Sequence, residues 1–309
     1  MDFTGRSLPA SSLTKISPAS GSTSIVMVIF LLTPCVSELR FRHVTCKNSS
    51  RVTLSGPERS KPVAVRFLLV GILISAIAIP ASPVSAEPLH LAAMDGNWLL
   101  AVELIAEGAD VNARDNLGRT PLHWAAESGN GAIANLLIES GADVNAKDAT
   151  DGTPLHKAVE KNREEVVKLL IANGADVEAR DRFGQTPLLY AADTGNEAVM
   201  KQLLARGVDL DAKDQGGDTP LHKAVYMGHK PVAILLVSKG ADVNARNNYG
   251  ITPLHLAALK GYEDLARLFI AKGADVNARD KFGVTPLQNA DHRGYENILR
   301  LLEKHGGHH

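Results

Sequence analysis

Five histidines recur at one interval: His90, His123, His156, His222 and His255 are separated by multiples of 33 residues. Imidazole is both a metal ligand and a general base, so a periodic row of them could hold ions or move protons. The spacing opposes both. Equivalent atoms on adjacent packed helices stand roughly 8–10 Å apart, too far to share one ion. A structural role is expected instead, and His305, His308 and His309 read as a frayed tail. Ser128, Ser140 and Ser238 have no recurring base beside them, and there is neither a glycine-rich phosphate loop nor a His-Glu-x-x-His helix. Both cysteines, Cys35 and Cys46, lie ahead of the histidine row, so no thiol chemistry reaches it. No catalytic residue, metal or cofactor is expected.

The elements that carry these histidines form a repeat. Thr120-Pro121-Leu122-His123-Trp124-Ala125-Ala126 returns at Thr153, Thr186, Thr219, Thr252 and Thr285, and Glu87-Pro88-Leu89-His90-Leu91-Ala92-Ala93 is an earlier copy without the threonine. Thr is a good helix N-cap, and Pro suits the first turn, where its missing N–H costs nothing. Leu122, Ala125 and Ala126 fall on one helical face small enough to admit a close neighbour. Gly129 and its counterparts end this first helix in a left-handed turn, with Asn162 standing in for glycine in the third unit. A second amphipathic stretch such as Ala132–Ile138 follows, closed by Gly141, and Asp115-Asn116-Leu117-Gly118 has a turn composition. Each of seven units is thus helix, turn, helix and hairpin-like loop. A unit this small cannot bury an apolar face alone, so neighbours must stack.

This pattern resembles the ankyrin repeat, through D-x-x-G-x-T-P-L-H-x-A-A-x-x-G at Asp115–Gly129 and L-L-I-x-x-G-A-D-V-N-A at Leu136–Ala146. The resemblance implies an all-α solenoid of about seven units with period 33. An N-capping repeat is expected at 87–114, five full repeats at 115–147, 148–180, 181–213, 214–246 and 247–279, and a C-capping repeat and tail at 280–309. It also implies histidines that tie neighbouring loops, and partners bound on the concave side formed by hairpin tips and first helices. Leu189 and Gln288 depart from the histidine, Asp151-Gly152 shifts the turn glycine by one, and Gly207-Val208-Asp209-Leu210-Asp211 loosens the fourth closing motif. Lower local stability is therefore expected near residues 205–218.

Residues 87–309 hold 24 Lys/Arg against 31 Asp/Glu, a net charge of −7 that argues against nucleic acid as a partner. Ahead of them, an uncharged run from Phe67 to Ile79 follows Arg59, Lys61 and Arg66 and precedes Val84-Ser85-Ala86. This reads as a signal peptide over 61–86 cleaved after Ala86, with an uncleaved membrane anchor as its competitor. Residues 1–60 are Ser-rich and aperiodic, and are expected to be disordered or a mis-assigned gene start. The expectation is an exported bacterial protein, periplasmic and monomeric, with a secreted effector that engages host proteins as the alternative.

Two surface features remain. Arg114, Lys147, Arg180, Lys213, Arg246 and Arg279 form a basic ladder, each followed by Asp or Asn, which reads as an electrostatic seam along the hairpins. Tyr226, Met227, Tyr249, Ile251, Leu259, Phe282 and Val284 occupy positions the repeat leaves free, and are expected to form one apolar patch over units five to seven that binds a partner protein. Trp124, Tyr190 and Leu256 are weaker candidates, because their position packs between first helices.

Overall fold

The computed structural model describes residues 44–45, 53–54 and 86–308. The chain divides into two units, residues 1–80 and 81–309. In the first, β1 (Val44–Thr45) pairs antiparallel with β2 (Thr53–Leu54), Val44 opposite Leu54. No regular structure was expected there, and this two-residue pairing is the one departure described. The remainder of residues 1–60 and the expected leader, apart from Ala86, lie outside the described residues.

Among the described residues of the second unit all regular structure is helical and falls into seven helix pairs. They are α1 (Ala86–Asp95) with α2 (Trp98–Ala106), α3 (Pro121–Ser128) with α4 (Gly131–Glu139), and α5 (Pro154–Glu160) with α6 (Glu164–Ala172). Then follow α7 (Pro187–Thr194) with α8 (Glu197–Leu204), and α9 (Pro220–Met227) with α10 (Lys230–Lys239). Last come α11 (Pro253–Lys260) with α12 (Glu263–Ala271), and α13 (Pro286–Arg293) with α14 (Glu296–Lys304).

The Thr-Pro pairs set the helix starts. Thr120 is extended at φ −90°, ψ 165°, and Pro121 opens α3. The Thr120 N–H donates to Nδ1 of His123 at 3.1 Å, so the histidine closes a capping box usually closed by Glu or Gln. Gln288 makes the standard version, its Oε1 accepting from the Thr285 N–H at 2.9 Å. At the other end of the first helix, Asn162 adopts φ 56° where its counterparts are glycines. In the third hairpin Asp151, at φ 60°, keeps the left-handed position, so the conformation stays in register although the glycine has moved to 152.

The turn after each first helix is crowded by the following unit. A Cβ on Gly195 would stand 2.3 Å from the His229 ring, whose Nε2 donates to the Asp193 carbonyl at 2.8 Å. Asn130 donates to the Ala93 and Met94 carbonyls, and Arg163 to Glu127, in the same way. At these three junctions a side chain opening the second helix thus satisfies C-terminal carbonyls of the previous first helix, which have no intrahelical partners; Asn196 instead donates to Glu164 Oε1.

Leu122, Ala125, Ala126, Ile133, Ala134 and Leu137 are buried, as are their equivalents in the inner units, and together they form one continuous core. First helices pack on first helices more densely than second helices do on one another, which makes the first-helix side the inner, concave one.

Candidate interaction surface

The hairpins line one edge of the concave side. Each tip is a tight turn, as where the Gly118 N–H donates to the Asp115 carbonyl at 2.9 Å. Successive tips are linked through the backbone: Ala149 N–H to Leu117 O, Arg182 to Thr150, Gln215 to Phe183, Asn248 to Gly216 and Lys281 to Tyr249, all within 2.8–3.0 Å. Residues at equivalent tip positions are therefore fixed neighbours along a row.

Beneath the row the histidines act as cross-ties. Nε2 of His123 donates to the Gly152 carbonyl at 3.0 Å, and His90, His156, His222 and His255 reach Arg119, Gln185, Ile251 and Val284 at 3.0–3.1 Å. With Nδ1 of His123 accepting from Thr120, both ring nitrogens are used and the ring is neutral, with its proton on Nε2. Burial lowers the pKa of His123 to about 4, and lowers those of His156, His222 and His255. No group of three or more His, Cys, Asp or Glu is placed to hold a metal among the described residues.

The acidic residue of each hairpin serves its own loop. Asp148 Oδ1 accepts from the N–H groups of Thr150 and Gly152 at 2.7 and 2.9 Å, and Oδ2 pairs with half-buried Lys157 at 2.9 Å. Burial alone would raise this carboxyl's pKa; the bonds from Thr150 and Lys157 outweigh it and hold the group well below the usual range. The residue after the histidine supplies the second donor in other units too: Trp124 Nε1 to Asp115, Tyr190 OH to Asp181 and Lys223 Nζ to Asp214, each at 2.9 Å. In the sixth unit the hairpin residue is Asn247, which has no second carboxylate oxygen to satisfy, and the position after the histidine is Leu256.

The expected electrostatic seam needs correction. Arg114 and Arg180 donate to carbonyls of their own hairpin and of the next unit, Gly118 and Lys147 for one, Gly184 and Lys213 for the other. Lys213 and Arg246 likewise reach the carbonyls of Arg246 and Arg279. The adjacent acids are occupied by hairpin N–H groups, so these cations satisfy backbone oxygens rather than forming ion pairs.

The seven patch residues differ in exposure. Tyr226 is 56% exposed, Met227 47%, Tyr249 57% and Phe282 79%, whereas Ile251, Leu259 and Val284 are half-buried, with Ile251 packed against the core. Tyr249 and Phe282 occupy consecutive tips, and Lys260 Nζ lies 4.3 Å from the Tyr226 ring centroid, spanning units five and six. Leu117 and Phe183, tip positions that the repeat also leaves free, are exposed as well and lie outside the expected patch. They share the position two residues after the hairpin acid with Tyr249 and Phe282.

Models described as ankyrin repeats match residues 64–148, 89–181, 155–247 and 236–290. The chain belongs to the ankyrin-repeat family. The first match begins within the expected leader of residues 61–86, outside the described residues. Among solved structures, the ankyrin repeat domain of Bcl-3, described as a unique member of the IkappaB protein family, is similar at 33% identity and a TM-score of 0.61. That match covers 69% of this chain and 97% of the other. No curated protein sequence matches. Ankyrin repeats are protein-interaction modules, and the concave side and hairpin tips are therefore the surfaces to weigh.

Proposed function

We propose that this chain is a non-catalytic scaffold that binds a partner protein through the concave side and hairpin tips of units five to seven. The observation that carries the reading is the joint exposure of Tyr226, Met227, Tyr249 and Phe282 in units five to seven; the terminal first unit also exposes Leu91, Met94, Trp98 and Leu99, and the remaining exposed large apolar residues are scattered. Nothing in the packing of the repeat requires large apolar groups at those positions, and exposed apolar clusters are characteristic of binding faces. Ile251, Leu259 and Val284 form the floor of the same patch.

Export belongs to the same proposal. The basic flank, the apolar run over 67–79 and the small residues at Val84-Ser85-Ala86 support delivery to a bacterial periplasm. The test combines fractionation with affinity capture from that compartment using the chain as bait. The expected result is retention in the periplasm and a partner whose binding falls when Tyr226 and Phe282 are both replaced by Ala, with circular dichroism unchanged. Undiminished binding would overturn the surface assignment, and recovery from the medium or a host cell would replace the periplasmic scaffold with a secreted effector.

A further inference from the structure

The third and sixth units can be compared position by position. Lys161, at the end of α5, pairs with Glu160 at 2.9 Å and reaches Glu127 of the preceding unit at 3.9 Å. Three repeats on, Lys260 holds the same position at the end of α11, and the two residues equivalent to Glu160 and Glu127 are Leu259 and Tyr226. The cation is kept while both of its internal carboxylates have become apolar, and Lys260 lies over the Tyr226 ring.

The same change runs through the surrounding surface. Earlier in the array three concave-side cations are compensated within the chain, Arg119 by Glu127, Lys157 by Asp148 and Lys223 by Asp214, each at 2.9 Å, while Arg182 at the fourth unit's tip reaches the Ala149 carbonyl instead. In units six and seven Lys260, Lys281 and Arg293 have no carboxylate within ion-pair distance among the described residues. Lys281 and Arg293 are exposed. Lys281 is fixed beside an aromatic tip by its backbone bond to Tyr249, and Arg293 occupies the Lys260 position one unit later, after His292. The acids bordering this region do not compensate it: Asp218 accepts from Asn247, and Asp291 is exposed on α13 without an ion-pair partner.

From this geometry we infer that the patch takes a polypeptide segment in which carboxylates alternate with large apolar side chains. The apolar side chains pack against Tyr226, Tyr249 and Phe282, and the carboxylates meet Lys260, Lys281 and Arg293, giving Lys260 the kind of partner that Glu160 and Glu127 give Lys161. The inference rests on the proposed binding face and adds its chemistry. A nucleic-acid strand is also anionic and could stack on aromatics. The net charge of −7 over residues 87–309 disfavours a long polyanion and favours a short segment with a few carboxylates.

The test is selection of a phage-displayed random 16-residue peptide library on the full chain. Supporting results are peptides rich in Asp or Glu interleaved with Phe, Leu, Ile or Tyr, and affinity that falls at least tenfold with Lys260→Glu and Arg293→Glu together or with Tyr226→Ala and Phe282→Ala together. Lys260→Gln, a milder change, should weaken binding in the same direction. Peptides without acidic bias that still require Tyr226 and Phe282 would overturn the charge inference and leave the binding face standing. Peptides insensitive to both pairs of substitutions, or no peptides at all, would overturn the face itself. Competition by a 20-nucleotide thymidine oligonucleotide at comparable affinity would replace the acidic polypeptide with a nucleic acid.

Discussion

The ring of His222 ties its unit to the next by donating to the Ile251 carbonyl at 3.0 Å. One repeat earlier Leu189 replaces the histidine, and the Asp218 carbonyl accepts only the Asp214 N–H among the described residues. Further losses fall on the same repeat. Asn112, Asn145, Asn244 and Asn277 each donate to the following unit's closing carbonyl and accept the N–H two residues further on. Asp211 can only accept, from Asp242. Gln202 stands where other second helices carry Leu136, Leu169, Leu235, Leu268 and Leu301, and its Oε1 is buried without a partner.

The junction between units four and five is therefore expected to open first. Amide hydrogen exchange should show the lowest interior protection over residues 205–218, and Leu189→His should raise it by about 1 kcal/mol, the net worth of a restored hydrogen bond. Uniform protection along the array would refute this.

Acid should loosen the array through its histidines. The pKa of His123 is about 4 in the folded chain against 6.5 as its ordinary value, so the unfolded chain binds more protons between those values. Stability is full above pH 6.5 and declines as pH falls toward 4, by up to about 3 kcal/mol for this residue alone. Urea unfolding midpoints at pH 7 and pH 4.5 measure it. His123→Gln should lower the midpoint at pH 7 while flattening its pH dependence, because Gln288 already makes the threonine bond with a group that does not titrate.

Replacing Asn247 by Asp tests the hairpin pairing. Asn247 Nδ2 donates to Asp218 Oδ1 at 2.8 Å, and a carboxylate there would set two negative charges in contact above Leu256, which has no donor. The change should cost about 2 kcal/mol in a denaturation experiment, and Leu256→Lys should recover part of it by supplying the partner that Lys157 gives Asp148. Simple additivity of the two changes would refute the pairing.

Asp148→Ala removes the acceptor for two N–H groups and for the half-buried Lys157 ammonium. A loss of about 3–5 kcal/mol is expected, seen as a large fall in thermal midpoint. A loss below 1 kcal/mol would show that water replaces the carboxylate.

What the sequence made legible was whatever a single repeat position encodes alone. Thr-Pro fixed the first-helix starts, glycine and Asn162 the left-handed ends, and His123 its role as a tie. Contacts made by changing residue types were hidden. Asn130, Arg163 and His229 do one job with three chemistries, reaching carbonyls 36 or 37 residues upstream, and no composition rule marks them. The arginines misled because alternating charge looks like ion pairing, whereas Arg114 and Arg180 answer unpaired carbonyls. Among patch residues, exposure was readable at Tyr226 and Phe282, while the burial of Ile251, Leu259 and Val284 depends on how deeply each hairpin seats.

The cross-ties between units span 29 to 37 residues, and several of the same bonds recur at successive junctions. Drawn out by its two ends, such a chain should lengthen in discrete jumps, one repeat yielding while its neighbours hold. Thirty-three residues extended at roughly 3.5 Å each set the size of a jump on the order of 100 Å. Tension would thus be absorbed module by module, and the junction after Asp211 is where the first jump should begin.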